Sequence, residues 1–355
     1  MSVFRSFKRG VKFVIPNPMW RKVSRTKHKL QRLLSPTADL NMLDIIIDRH
    51  KPAAAFPITK DVIAQYITNP DKRNTVYFPR VCRTICSSDA DYIPKVENAG
   101  QIIKYKGQHV QVMHNGVMVH QNSYGEDPKR VDISLFGTWT SDIISILKGH
   151  HEPQEEKAFY EILKDIPKGG VMLELGCWWA YYSMWFNKQI PEAKNYMIEP
   201  NQVNLEFGKA NFALNEMQGD FTVGFLGKKF DKTTHGINPK SPKLSIDEFI
   251  QQKSLDCIDI LHSDIQGGEF KMLLGAHETL SNHKIRYVCI STHEDVIHQQ
   301  CIDLLKSHKY LIVCQHTIRE GCSADGLVVA RASSLPGIDH IDITKYDYDW
   351  SKFTL

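Results

Sequence analysis

No stretch of this chain is apolar for the 18 or so residues that a membrane-spanning helix needs. The short apolar run at residues 11–15 is stopped by Pro16 and Pro18, which makes a poor core for a secretory signal. The eight cysteines lack metal-ligand spacing: Cys82 and Cys86 lie four apart with no matching pair downstream. Cys257, Cys289 and Cys314 fall in or beside apolar runs, where a thiol packs as a small hydrophobe. A zinc scaffold is therefore excluded, and a reduced, cytoplasmic setting is expected. Asp-x-Asp pairs at a strand end are also missing; Asp89-Ala-Asp91 reads as a turn. That tells against a metal-dependent nucleotide-sugar enzyme. His150-His151-Glu152 has no partners at ligand spacing and reads as a helix entrance, so no metal is expected.

Acid is absent from residues 1–32, which hold ten Lys and Arg. That segment carries +10, and subtracting it from the chain's +4 leaves −6 for the remainder. The basic character belongs to an arm, residues 1–35, with Phe4, Phe7, Phe13 and Trp20 among its charges. An anionic membrane surface is one partner for such an arm; a targeting leader and a solvated tail are the alternatives. A nucleic-acid partner is not expected, because the body is acidic and no base-reading motif follows.

Residues 36–150 form an accessory α+β region of unassigned role. Prolines 52, 57 and 70 punctuate two short helix candidates at 40–48 and 60–67. Residues 108–114 and 117–121 flank Asn115-Gly116, a strong hairpin signal. A short helix is expected at 141–147, and a longer one at 152–164 with Phe159, Ile162 and Leu163 on one face.

From residue 171 strands and helices alternate. Strands are expected at 171–176, 195–199, 221–226, 258–264, 286–292, 310–315 and 326–331, and helices at 180–189, 202–214, 269–280 and 295–307. Strands joined through helices imply a parallel, doubly wound sheet. Only the turn-rich stretch 317–325 separates the last two strands, so the seventh should run antiparallel. The expected fold is α/β, Rossmann-like: a seven-stranded, mostly parallel sheet over residues 151–335, with 336–355 as a tail.

Residues 171–200 hold the most order. An apolar run ends at Glu174 and Gly176, a helix follows, and a second run ends in Glu199-Pro200. This is the plan of a nucleotide-binding βαβ unit. Gly176 permits a sharp turn and close approach of a ligand. Glu199, at a strand tip, can accept hydrogen bonds from both hydroxyls of a ribose.

Four motifs in order resemble the FkbM family of S-adenosylmethionine-dependent methyltransferases, whose class I fold has this strand plan. They are Leu173-Glu-Leu-Gly-Cys-Trp-Trp-Ala-Tyr-Tyr-Ser183, Ile198-Glu-Pro-Asn201, Leu244-Ser-Ile-Asp247-Glu-Phe249 and Asp259-Ile-Leu-His-Ser-Asp-Ile-Gln-Gly-Gly-Glu269. The resemblance implies S-adenosyl-L-methionine as cofactor, with Glu174, Gly176, Cys177, Ala180, Tyr181, Ser183, Glu199, Asn201 and Asp264 around it. It also implies methyl transfer to an oxygen of a sugar, glycan or other small polar metabolite.

This chain departs from the pattern at several points. Ala180 stands for the loop's last glycine, His262 for a lysine and Gln266 for a glutamate, and a fifth-strand glutamate is replaced within residues 291–294. A non-catalytic cofactor-binding module is therefore the alternative reading. Asp264, His262 and His293 are the candidate proton acceptors. Each residue also has a plainer role open to it: Glu174 as helix cap or ion-pair partner, Asn201 and Asp264 as helix caps, His262 as a satisfied core histidine. Trp178, Trp179, Tyr181 and Tyr182 read either as an aromatic wall facing a sulfonium or as packing.

Overall fold

The structure is a computed structural model and describes residues 84–85, 87–120, 138–227, 243–323 and 325–345. The basic arm and the helix candidates at 40–48 and 60–67 lie outside the described residues, as do 346–355 of the tail.

Twelve strands occur among the described residues: β1 Ile102–Tyr105, β2 Gln108–Val112, β3 Met118–His120, β4 Val171–Leu175, β5 Lys194–Glu199, β6 Asp220–Val223, β7 Phe225–Leu226, β8 Lys243–Leu244, β9 Ile258–Ser263, β10 Ile285–Thr292, β11 Tyr310–His316 and β12 Gly326–Ala332. The α-helices there are α1 Thr138–Ile146, α2 Pro153–Leu163, α3 Tyr181–Gln189, α4 Gln202–Leu214, α5 Ile246–Lys253, α6 Glu269–Leu274, α7 His277–Ser281 and α8 Asp295–Ser307.

Seven strands form one sheet in the order β11-β12-β10-β9-β4-β5-β6. The β10–β9, β9–β4, β4–β5 and β5–β6 pairs are parallel. β12 runs antiparallel to both neighbours, as the short connection from β11 requires. The strands are apolar on both faces because helices cover both. Met172, Ile260, Tyr287 and Cys289 face the core shared with α2 and α3. Leu173, Leu175, Leu261 and Val288 face the core shared with α5, α6 and α8.

The structure differs from the sequence reading at three places. The expected strand 221–226 breaks at Gly224, whose N–H turns to the Glu199 carbonyl at 3.2 Å; β7 then pairs with β8 instead. The expected helix 269–280 is two helices, because the Asp247 carboxylate accepts the N–H groups of Glu278 and Thr279 and starts α7. α5 was not anticipated, although Ser245 and Glu248 form a reciprocal capping box that the sequence spells out as Ser-x-x-Glu.

The Asn115-Gly116 hairpin is present, with β3 antiparallel to β2. A second turn at Lys106-Gly107, both residues at positive φ, adds β1. The free edge of β3 is met by α4: Asn215 Oδ1 accepts from Met118 N at 2.9 Å and its Nδ2 donates to Met118 O at 2.7 Å. Asn211 Oδ1 accepts from His120 N at 3.0 Å. Two asparagines thus act as a surrogate strand and fix the meander to the sheet domain. Residues 338–345 also pack back, with Asp89 accepting from Thr344 N at 2.8 Å and Lys157 reaching Asp89 at 2.9 Å.

Candidate functional site: the crevice at the tips of β4, β5 and β9

β5 and β9 leave β4 on opposite sides, so the strand order reverses at β4. Open α/β sheets bind ligands outside the carboxyl ends of the strands at such a point. Here β4 ends in Gly176 with φ +73°, and a Cβ built on it would stand 1.9 Å from the Asp264 carbonyl oxygen. Only a residue without a side chain lets the loop after β4 cross the end of β9 so closely. Gly176 N and Cys177 N both turn to the Ile198 carbonyl, at 2.8 and 3.3 Å.

The loop then holds Trp178 and Ala180 at φ +38° and +59°. Left-handed backbone costs an ordinary residue about 1–2 kcal/mol, so other contacts must hold it. Glu199 Oε2 accepts from Trp178 N at 3.3 Å, and Asn211 donates to the Trp179 carbonyl at 3.0 Å. Strain kept in place by its surroundings is a mark of binding loops. Trp179, Tyr181 and Tyr182 are buried in the core, which is the packing alternative for those three. Trp178 stays partly buried against them.

Glu199 lies buried at the tip of β5. Besides Trp178 it accepts from Asn201 N at 2.9 Å and Asn204 Nδ2 at 3.4 Å. Three donors against about four acceptor positions on a carboxylate leave it capacity for a ligand hydroxyl. Burial raises its pKa, and these donors oppose that. Asn201 is the N-cap of α4, accepting from Val203 N at 2.9 Å.

Glu174, one residue before the end of β4, is buried and accepts from Ser183 N at 3.1 Å, so it does cap the first turn of α3. Burial pushes its carboxyl up to about 7, against the pull of His262.

The structure sets His262 apart from the other two expected proton acceptors, His293 and Asp264, which touch. His262 faces α2, fully inside: its Nε2 lies 2.7 Å from Glu155 Oε1 and its ring centroid 4.2 Å from that of Tyr182. Burial alone would lower its pKa; Glu155 and Glu174 raise it instead. His293 follows β10 and meets three carboxylates, Glu269 at 2.6 Å, Asp264 at 3.2 Å and Asp325 at 3.5 Å. Burial opposes its charge, but hydrogen bonds to Asp264 and Glu269 push its pKa up to about 11. The acids around His293 hold it protonated, so it has no lone pair to offer at neutral pH; those around His262 shift it toward its charged form. Asp264, whose side chain is 39% exposed, remains as the accessible acceptor.

Sequence reasoning missed the acids that α2 brings to this edge. Glu155 joins His262 to Ser291, whose Oγ donates at 2.8 Å. Glu156 holds both His150 and His151, the latter at 2.6 Å. Glu152 takes His151 Nε2 at 3.1 Å and the Tyr182 hydroxyl at 3.1 Å. His151 packs edge-on against Trp179 and Tyr181, with centroids 4.8 and 5.1 Å apart. Its pKa rises to about 10: burial lowers it, and Glu152 and Glu156 more than compensate. The available signal was a glutamate at the N-cap and two more in the first turn of a helix that leads into β4. The His150-His151-Glu152 stretch is a helix entrance, as its sequence suggests.

Residues 164–312 match the family model described as the methyltransferase FkbM domain. Comparison with curated protein sequences gives no match. Among solved structures, M. capricolum TrmK in complex with S-adenosyl-homocysteine is similar at 17% identity, covering 52% of this chain and 70% of that one with a TM-score of 0.33. A SAM dependent methyltransferase from Aquifex aeolicus is similar at 13% identity, covering 50% of this chain and 89% of that one with a TM-score of 0.32. Likeness at that score adds no weight by itself. Through residues 164–312 the chain is similar to the FkbM methyltransferase domain.

Proposed function

We propose that the crevice binds S-adenosyl-L-methionine and that the protein transfers its methyl group to a hydroxyl of a sugar, glycan or other small polar metabolite. The observation that carries the reading is the close crossing of Gly176 over Asp264, with the Glu199 carboxylate at the tip of the next strand. The residues present suit that cofactor. Glu199 has acceptor capacity for the ribose hydroxyls, and Glu174 supplies an acid on the side where an amino group would need one. When bound, the cofactor supplies an electrophilic methyl on a sulfonium. The chain's own part is alignment, which can contribute about 7 kcal/mol or more to lowering a barrier.

Asp264 takes the hydroxyl proton in this reading, as the exposed carboxylate at the tip of β9. His293 orients it and remains charged throughout. The buried aromatic rings of Trp179, Tyr181 and Tyr182 keep water from the back of the crevice. Oxygen as acceptor rests on the family resemblance.

Calorimetry with S-adenosylhomocysteine tests the cofactor assignment; absence of binding, or undiminished binding by Glu199→Ala, would remove it. Mass spectrometry with labelled cofactor and a carbohydrate library tests transfer. Binding without any methylated product would favour the rival, a non-catalytic module. The basic arm, in the same reading, attaches the protein to an anionic lipid surface from the cytoplasmic side.

A further inference from the structure

Among the described residues, one carboxylate is fully inside the protein, distant in sequence from every motif and yet bonded to two strand ends of the crevice. Glu155, on the first turn of α2, has Oε1 at 2.7 Å from His262 Nε2 on β9 and Oε2 at 2.8 Å from Ser291 Oγ on β10. The other ring nitrogen of His262 has no hydrogen-bond partner and lies 4.0 Å from Glu174 Oε1. Glu174 and His262 are register partners across β4 and β9, so the sheet itself holds them side by side.

We infer that Glu155 is a positioning residue for cofactor binding: it holds His262 as a buried cation beside Glu174, and that cation keeps Glu174 ionised to receive the cofactor's amino group. This rests on the reading above that the crevice binds S-adenosylmethionine.

The chemistry follows from the surroundings. Glu174 is buried in the middle of the sheet, where an unpaired carboxylate would take up a proton. The charged or titratable groups facing it are His262 from β9, Asp264 beyond it and Cys177 on its own loop. His262 is the one cation among them. It in turn faces Glu155 from α2, Glu174 from β4, Asp264, and the Tyr182 ring from α3. Burial raises the Glu155 carboxyl, and the bonds from His262 and Ser291 counter this. Where the family pattern has a lysine at position 262, this chain has a histidine, whose charge depends on its neighbour. Glu155 supplies that dependence from outside residues 164–312.

The test uses the full chain and Glu155→Gln, which keeps hydrogen-bonding capacity toward both partners and removes the charge. Histidine ring resonances, assigned with His262→Gln, report the charge of His262 without any ligand. His262 should lose its proton at a lower pH in Glu155→Gln than in the parent. Titration with S-adenosylhomocysteine should then show equal affinity for the two proteins near pH 9. Near pH 7 the variant should be weaker by about tenfold for each unit by which the Glu174 pKa rises. An unchanged His262 titration in Glu155→Gln, or identical pH profiles of cofactor binding for the two proteins, would overturn the inference. A parent that binds no S-adenosylhomocysteine at any pH would overturn the functional reading instead, while the resonances still decide the Glu155–His262 pairing.

Discussion

Replacing Gly176 with alanine perturbs the one place where two strand ends cross without room for a methyl group. The new Cβ would lie 1.9 Å from the Asp264 carbonyl oxygen, 2.9 Å from its carbonyl carbon and 3.2 Å from Ile265 Cγ2. Two of these atoms are backbone, so no rotamer change relieves the contact. Left-handed φ costs alanine about 1–2 kcal/mol, and forced repacking about 1–3 kcal/mol. The lower entropy of the unfolded alanine chain returns about 0.4–1 kcal/mol. The net destabilisation is about 1–5 kcal/mol, against the ~5–15 kcal/mol typical of a folded domain. With a urea m-value of about 2–3 kcal/mol/M, the midpoint should fall by about 0.3–2.5 M. Gly107→Ala is the control, since Gly107 has φ +82° but nothing within 4 Å of its Cβ position. It should lose only the conformational part, about 1 kcal/mol. Equal midpoints for Gly176→Ala and Gly107→Ala would refute the close crossing, and with it the shape assigned to the crevice.

Removing the Glu199 carboxylate in Glu199→Ala should weaken S-adenosylhomocysteine binding by about 10- to 100-fold, as expected for lost charge-assisted hydrogen bonds worth ~1.5–3 kcal/mol; calorimetry reads this directly. Ser245→Ala should cost about 1 kcal/mol by urea unfolding, because the capping box of α5 is lost. His151 has a folded pKa of about 10 against an unfolded value of about 6.5. Its stabilisation is therefore complete below about pH 6.5 and is lost as pH rises through about 10. Midpoints measured from pH 7 to 10 should decline in the parent, and His151→Gln should flatten that slope. Deleting residues 1–34 should abolish salt-sensitive binding to vesicles containing anionic lipid; salt-independent sedimentation of the full chain would count against an electrostatic arm.

Much of the fold was legible in residue order. β4, α3, β5 and α4 appear within a residue of their expected bounds, because hydrophobic period and local caps are short-range properties. The antiparallel β12 was legible too, because a connection as short as 317–325 leaves room for no crossover helix. The sequence also marked Gly176, Glu174, Glu199 and Asp264, each at the end of an apolar run where a strand must stop. It could not say which of His262, His293 and Asp264 faces solvent. Alternation along β9 puts His262 and Asp264 on one side, yet one is sealed under α2 and the other lies at the open edge.

Sequence by itself determined which strands are parallel, since this follows from local periodicity and from the length of the connections. Only the tertiary structure decided the charge states inside. Glu155 stands 107 residues from His262, and two separate segments reach His293: the link from β9 to α6, with Asp264 and Glu269, and the stretch before β12, with Asp325. A histidine's protonation is set by the acids within a few ångströms and by exclusion of water, and neither quantity exists until the chain has folded around it.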